Sequence, residues 1–284
     1  MILTRNISLI GSGYLPEFSR VLQYAQNAGY TLPSVQSRSN INRFLAKNKL
    51  AGIPLSIFDF IYIFANDGSS AFSRLNFANP NLYYASPQNS PTWESNRGFS
   101  LNGVNQYINT TFIPTSNAVN IQPALATYGT YTWDDARVGI QMGANNVSFS
   151  NIIDIELRRV ISALEIRAFF MVHIQSGGAG GEPYTPGTEP PTAAFALVTR
   201  DVNEAATFGR LRINNYTDLI GQNAESANPA QMPSVPIYIG ALNNNGSILF
   251  PTQNRFGLAF GCRGLTAQQE QAFYNNWEEY RLTL

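Results

Sequence analysis

Three things are scarce in this 284-residue chain: cysteine, histidine and charge. One cysteine excludes an intrachain disulfide and any cysteine metal cluster. Cys262 lies in Phe256-Gly257-Leu258-Ala259-Phe260-Gly261-Cys262 and reads as a small buried hydrophobe. His173 is the single histidine, so a Ser-His-Asp triad or a histidine zinc site would have to use it. It sits in the apolar run Phe169-Phe170-Met171-Val172-His173-Ile174, where a structural role is expected. Charged residues are 13% of the chain, against a usual share of about 25%. Eighteen basic residues balance eighteen acidic ones, so the footprint needed to neutralise a phosphate backbone is missing. No nucleic-acid partner is expected. The longest apolar run, Ile53 to Ala65, is broken by Pro54, Ser56 and Asp59 and falls far short of a membrane span. Met1-Ile2-Leu3-Thr4-Arg5-Asn6 leads into polar and turn residues, so neither a targeting segment nor a membrane partner is expected, and synthesis is placed in a cytoplasm.

What is present points to a packed β-protein. Hydrophobic residues reach 44% and aromatics 12%, enough for a large core. Polarity comes from Asn, Ser, Thr, Gln and Tyr, which favour turns and short-range hydrogen bonds. Asn-x-Ser/Thr triplets such as Asn109-Thr110-Thr111 and Asn245-Gly246-Ser247 read as coincidence in so Asn-rich a chain.

The first sixty residues differ from the rest. Phe18, Val21, Leu22 and Ala25 follow helical spacing, with Pro16 suited to the first turn and Gly29 to the stop. A second helix is predicted within Ser34 to Leu50, with Ile41, Phe44 and Leu45 on one side and Gly52 after its end. Two short amphipathic helices must pack on something, and the run Ile57 to Phe64, a strand apolar on both faces apart from Asp59, is the inner strand expected to receive them. From about Asn66 the pattern is β, with strands expected near 105–112, 124–133, 136–143, 152–158, 165–174, 193–200, 207–213, 235–241 and 254–261. Short strands with Gly and Pro punctuation and no helical crossovers imply a sandwich or jelly roll. The glycine-rich stretch from Ser176 to Pro191 reads as a loop between strands. Thr266 and Gln269 form a capping box for a closing helix whose apolar stripe is Phe273, Trp277 and Tyr280.

Two stretches carry a family resemblance. Gly98-Phe99-Ser100-Leu101-Asn102-Gly103-Val104-Asn105-Gln106-Tyr107-Ile108-Asn109-Thr110 resembles the early hairpin of laminin-G-like, concanavalin-A-like jelly rolls, although Leu101 and Asn102 precede the glycine of that pattern. Ile237-Tyr238-Ile239-Gly240 through Asn243-Asn244-Asn245-Gly246 to Gly261, followed by Leu265-Thr266-Ala267-Gln268-Gln269-Glu270, is similar to that family's last strands and closing helix. The resemblance covers roughly 65–284. Together with two N-terminal helices and an apolar strand, it also resembles structural proteins of tailed bacteriophages.

That resemblance implies a mainly β, concanavalin-A-like (laminin-G-like) jelly-roll sandwich with a short N-terminal helical module and a C-terminal helix. The expected division is 1–60 as a helical attachment module and 61–284 as the sandwich. The implied function is a non-enzymatic virion component, a tail or head fibre or decoration part, able to adhere to a host surface. Its expected partners are other virion proteins through the N-terminal helices, host-surface glycans and further copies of itself in an assembly. Its place would be the virion, after synthesis in the host cytoplasm. The alternatives are a lectin-like carbohydrate-binding module and, third, a glycoside hydrolase of the same fold.

Those alternatives make different demands on the residues. Glycosidases of this fold set acids at alternate positions on one strand, because two carboxylates must flank the scissile bond. Asp154-Ile155-Glu156 supplies two such acids and no third, and beside Arg158 and Arg159 it reads as a charge-paired strand face. No catalytic residue is assigned. Asp134-Asp135 could hold calcium with loop carbonyls, the one cofactor considered, or simply form a hairpin tip. Sugar recognition would use aromatics near turns, and the candidates are Tyr128, Tyr131, Trp133 and Tyr184, with packing between sheets as the competing role.

Overall fold

The computed structural model describes residues 13–117, 123–130, 139–146, 152–160, 165–172, 193–200, 208–222 and 232–284. Two helices come first, α1 (Pro16–Asn27) and α2 (Val35–Leu50), then strand β1 (Phe58–Ile63) and the single turn α3 (Ser70–Ser73). Four three-residue strands follow: β2 (Ser86–Gln88), β3 (Thr92–Glu94), β4 (Gly98–Ser100) and β5 (Tyr107–Asn109). After the short α4 (Pro114–Asn117) come β6 (Pro123–Thr130), β7 (Gly139–Asn145), β8 (Ile152–Val160), β9 (Glu165–Val172) and β10 (Ala193–Arg200). The remaining strands are β11 (Phe208–Ile213), β12 (Tyr216–Gln222), β13 (Tyr238–Ile239), β14 (Leu242–Asn244), β15 (Ser247–Leu249) and β16 (Arg255–Arg263). Helix α5 (Ala267–Arg281) comes last.

Local chemistry explains the three long helices. Pro16 opens α1, where its missing N–H costs nothing, and Gly29 follows the last turn at φ 71. The Ser34 hydroxyl caps α2 by accepting from the Ser37 amide. In α5, Thr266 accepts from the Gln269 amide at 3.3 Å and Gln269 Oε1 accepts from the Thr266 amide at 3.0 Å, completing the predicted capping box. Among the described residues no helix is long and apolar enough to cross a membrane.

The strands form two sheets. Sheet A runs β12-β11-β10-β6-β16-β4-β3 and takes β1 on β16; sheet B runs β15-β14-β7-β13-β5-β2, with β8 on β7 and β9 on β8. Described pairings are antiparallel except β14 on β7. The chain is a mainly β sandwich of the jelly-roll class, with helices on one side.

Two cores follow from strand alternation. Phe60 and Tyr62 of β1, and Phe64 just after it, point between the sheets with Ile108, Met142, Ile153, Ile155 and Ile239. Phe58, Ile61 and Ile63 point the other way, into a core shared with α1, α2 and α5. A register shift between Phe58 and Phe60 lets both phenylalanines be buried on opposite faces. On the helix side β6 offers Ala124, Ala126 and then Tyr128, and the space over the two alanines admits aromatic rings from α5. Phe273 lies 4.7 Å from Phe260 and Phe44 lies 5.8 Å from Trp277, ring centre to ring centre. Gly261 faces the inner core as a notch: a Cβ there would stand 2.6 Å from the Phe60 ring.

β1 is not an inner strand. Its free edge is closed by Asn76, whose Oδ1 accepts from the Ile61 amide and whose Nδ2 donates to the Asp59 carbonyl, while the Phe77 amide donates to the Ile61 carbonyl. One buried amide side chain thus replaces a neighbouring strand.

Other differences from the sequence reading have local causes. The expected strand 105–112 shrinks to β5, because Asn109 Oδ1 accepts from the Thr111 amide and Thr111 turns at φ 59. The expected strand 235–241 stops at Ile239, where Gly240 turns at φ 81. β2, β3, β4, β12, β14 and β15 went unpredicted. The boundary near residue 60 coincides with no gap in packing: β1 crosses it, and the faces of α1 and α2 are buried with α5 on sheet A of the same chain.

Candidate functional site

Helices cover the outer face of sheet A, which leaves the outer face of sheet B open to a ligand. Ile108, Ile153, Ile155 and Ile239 all point into the inner core, so their neighbours along each strand face outward. Register aligns those neighbours in one row across five strands: Ser86, Asn109, Tyr238, Gly143 and Asp154. Tyr107, beside Asn109 on the same face of β5, lies with its ring centre 4.2 Å from that of Tyr238, the planes 32° apart. Tyr107 is half-buried and Tyr238 almost fully buried, so the first is the accessible ring and the second its support. Burial, and then a side-chain hydrogen bond with Tyr107, push the Tyr238 hydroxyl up to about 12.

Asp154 is 2% exposed. It fits because its cross-strand partner is Gly143, where a Cβ would meet the Asp154 Cβ at 2.5 Å and Leu242 Cδ1 at 3.0 Å. Register puts Glu156 opposite Ile140 and Phe169; its side chain, like those of Arg158 and Arg159, lies outside the described residues. Asp154 is too deeply covered to flank a sugar bond in this conformation.

Of the residues singled out in the sequence, Tyr128 lies elsewhere. It stands on the helix side of sheet A, its ring centre 5.2 Å from that of Trp277 and 5.8 Å from Arg281 Cζ. Burial raises its hydroxyl above the usual range, with Arg281 opposing. That ring serves the docking of α5, and the structure does not bring it together with Asp154. Tyr131, Trp133, Tyr184, Asp134, Asp135 and His173 lie outside the described residues. Cys262 is 1% exposed in the helix-side core, and burial pushes its thiol well above the ordinary value, as befits a small hydrophobe. Among the described residues no three His, Cys, Asp or Glu side chains gather to hold a metal ion.

Sequence reasoning missed Tyr107 and Tyr238 as site residues. Each adjoins an inward isoleucine, which is the only local signal that its ring faces out.

No family model and no curated protein matches the chain. Solved structures do. A mutant of Trypanosoma rangeli sialidase displaying trans-sialidase activity aligns over 86% of this chain and 39% of its own, with a TM-score of 0.52 and 11% identity. The NanB sialidase of Streptococcus pneumoniae aligns over 62% of this chain and 27% of its own, with a TM-score of 0.45 and 10% identity. The CBM40 module of the Ruminococcus gnavus IT-sialidase aligns over 53% of this chain and 80% of its own, with a TM-score of 0.41 and 10% identity. The chain therefore spans 39% and 27% of the length of the two sialidases. At such identity the first likeness speaks for the β-sandwich fold alone.

Proposed function

We propose that this chain is a non-enzymatic glycan-binding sandwich that uses the outer face of sheet B. One observation carries the reading: the Tyr107 ring, backed by Tyr238, stands among the uncharged polar side chains of Ser86, Gln88 and Asn109. Sugars present apolar C–H faces that lie on aromatic rings, and hydroxyls that both donate to and accept from amides. Holding Tyr107 against Tyr238 restricts the ring before any ligand arrives, which lowers the ordering cost of binding. The burial of Asp154 supports a non-catalytic role, because a glycosidase needs two carboxylates beside the scissile bond. In a tailed-phage particle, the setting implied by the sequence resemblance, this face would meet glycans of the host surface.

The test is a glycan array with the full chain, followed by titration of the best binder. Tyr107→Ala should weaken that binding about tenfold or more while lowering the melting temperature by only a few degrees. If the unaltered protein binds no glycan, the reading fails and an inert assembly part takes its place.

A further inference from the structure

The helical side of the molecule contains a groove of about 480 Å³ between α1 and the turn over residues 78–81. That volume is within the range of small-molecule sites. One wall is a stripe of α1 that includes Arg20, Gln23, Tyr24 and Asn27, residues that helical spacing puts on one face. The other wall is fixed by the chain's own hydrogen bonds. The Phe77 amide donates to Ile61 O at 2.9 Å, Ala78 N to Asn76 Oδ1 at 3.0 Å, and Leu82 N to Asn79 O at 3.0 Å. A helix and a tied turn need no ordering when a ligand enters.

The lining chemistry narrows the ligand. Gln23 Nε2 donates to Asn27 Oδ1 at 2.9 Å, which leaves Gln23 Oε1 as an acceptor and Asn27 Nδ2 as a donor without described partners. Asn79 and Asn81 add amides from across the groove. Glu17 also lines it, with Oε1 2.8 Å from Lys49 Nζ, and the Lys49 hydrogen bond holds its carboxyl below the usual range. Arg20 lies one helical turn further on, and no described residue forms an ion pair with it. A ligand carboxylate drawn to Arg20 would meet Glu17, and an ammonium drawn to Glu17 would meet Arg20. Hydroxyl groups, which donate and accept, satisfy both charges and all the amides.

We propose that this groove binds one neutral sugar residue, with the ring against Tyr24 and the hydroxyls shared among Asn27, Asn79, Arg20 and Glu17. The site goes beyond the sheet B reading and shares no residue with it. Two contacts on different sides of one molecule would let it bridge neighbouring chains of a polysaccharide and gain avidity without new contacts.

The experiment is saturation-transfer NMR on the full chain with glucose, galactose and mannose, and with glucuronate and glucosamine as charged counterparts. At least one neutral hexose should bind, and both charged sugars should bind several-fold more weakly. Asn27→Ala and Arg20→Ala, both at exposed positions on α1, should weaken the hexose about fivefold or more, whereas Tyr107→Ala should leave it unchanged. The proposal is overturned if no neutral hexose binds, if a charged sugar binds better, or if Asn27→Ala and Arg20→Ala have no effect. Binding abolished by Tyr107→Ala alone would likewise overturn it, and would assign the sugar to sheet B.

Discussion

The two sheets spend their outer faces differently. Sheet A turns Phe195, Leu197, Leu258 and Phe260 outward and hides them under α1, α2 and α5. Sheet B, among its described residues, turns Ser86, Asn109, Tyr107, Tyr238 and Asp154 outward instead. The first face is made for the chain itself; the second carries a polar row with one aromatic pair, beside a small apolar cluster of Ile140, Leu242 and Leu249. Substitutions in the helix-side core should therefore act on stability, and substitutions of the accessible sheet B residues on the proposed glycan binding.

The severest challenge to this division is deletion of residues 1–52. The sequence alone suggests that the sandwich would survive it. In the structure, α1 and α2 bury Phe18, Val21, Leu22, Ala25, Ile41, Phe44 and Leu45 against sheet A and α5. At about 1.5–3 kcal/mol for each of the six large side chains, the loss of about 9–18 kcal/mol is as large as the usual total of about 5–15 kcal/mol. The truncated protein should be insoluble or lack a cooperative melt, as soluble yield and circular dichroism would show.

Trp277→Ala comes next, at about 3–5 kcal/mol, or a fall in melting temperature of roughly 6–20 °C. Glu279 is the contrast on the same helix. It is half-buried rather than fully exposed, and it pairs with Lys47 and Arg43 of α2. Such surface pairs contribute about 0–1 kcal/mol, so Glu279→Ala should shift the melt by a few degrees at most. Equal shifts for the two variants would mean that α5 is not docked as described.

Glu270→Ala tests the seam between α5 and β11. Glu270 is fully buried, 2.8 Å from Arg210 Nε and 3.8 Å from Arg212 Nε. Arg210 also donates to Leu265 O, and burial, with repulsion from Arg210, lowers the Arg212 guanidinium. Removing the carboxylate leaves two buried cations, at a cost of about 3–5 kcal/mol by chemical denaturation.

A further test is alkaline. Burial raises the Tyr62, Tyr84, Tyr238 and Tyr280 hydroxyls, Tyr84 and Tyr238 to about 12. A group whose pKa is raised on folding contributes stability that is whole below its unfolded value of about 10 and fades as pH climbs towards the folded value. The denaturation midpoint should hold from pH 8 to 9.5 and decline above 10. A flat profile to pH 11.5 would show that these rings are open to water.

How far the sequence disclosed this arrangement depended on the range of the signal. The helices were readable because Pro16, Gly29, Thr266 and Gln269 punctuate them within a few residues. The run Ile57 to Phe64 disclosed a strand apolar on both sides, but its edge position depends on Asn76, an ordinary polar residue until its two bonds to β1 are seen. Strands of three residues such as β2, β3 and β4 are too short for alternation to register. Tyr128 was picked out because it neighbours a turn, and its true surroundings are set by α5, about 150 residues further on. Tyr107 and Tyr238 meet only because β5 and β13 pair, a long-range register that neither stretch encodes alone.

The position of β16 has a consequence for biosynthesis. This strand holds β6 on one side and β1 with β4 on the other, yet it is made about 200 residues after β1. Ile61 must wait for Phe260, about 200 residues later, and at synthesis rates of 5–20 residues per second that is roughly 10–40 s. Until then the nascent chain carries two apolar faces of β1 without their sheet, the kind of exposed surface that makes an incomplete chain prone to aggregate.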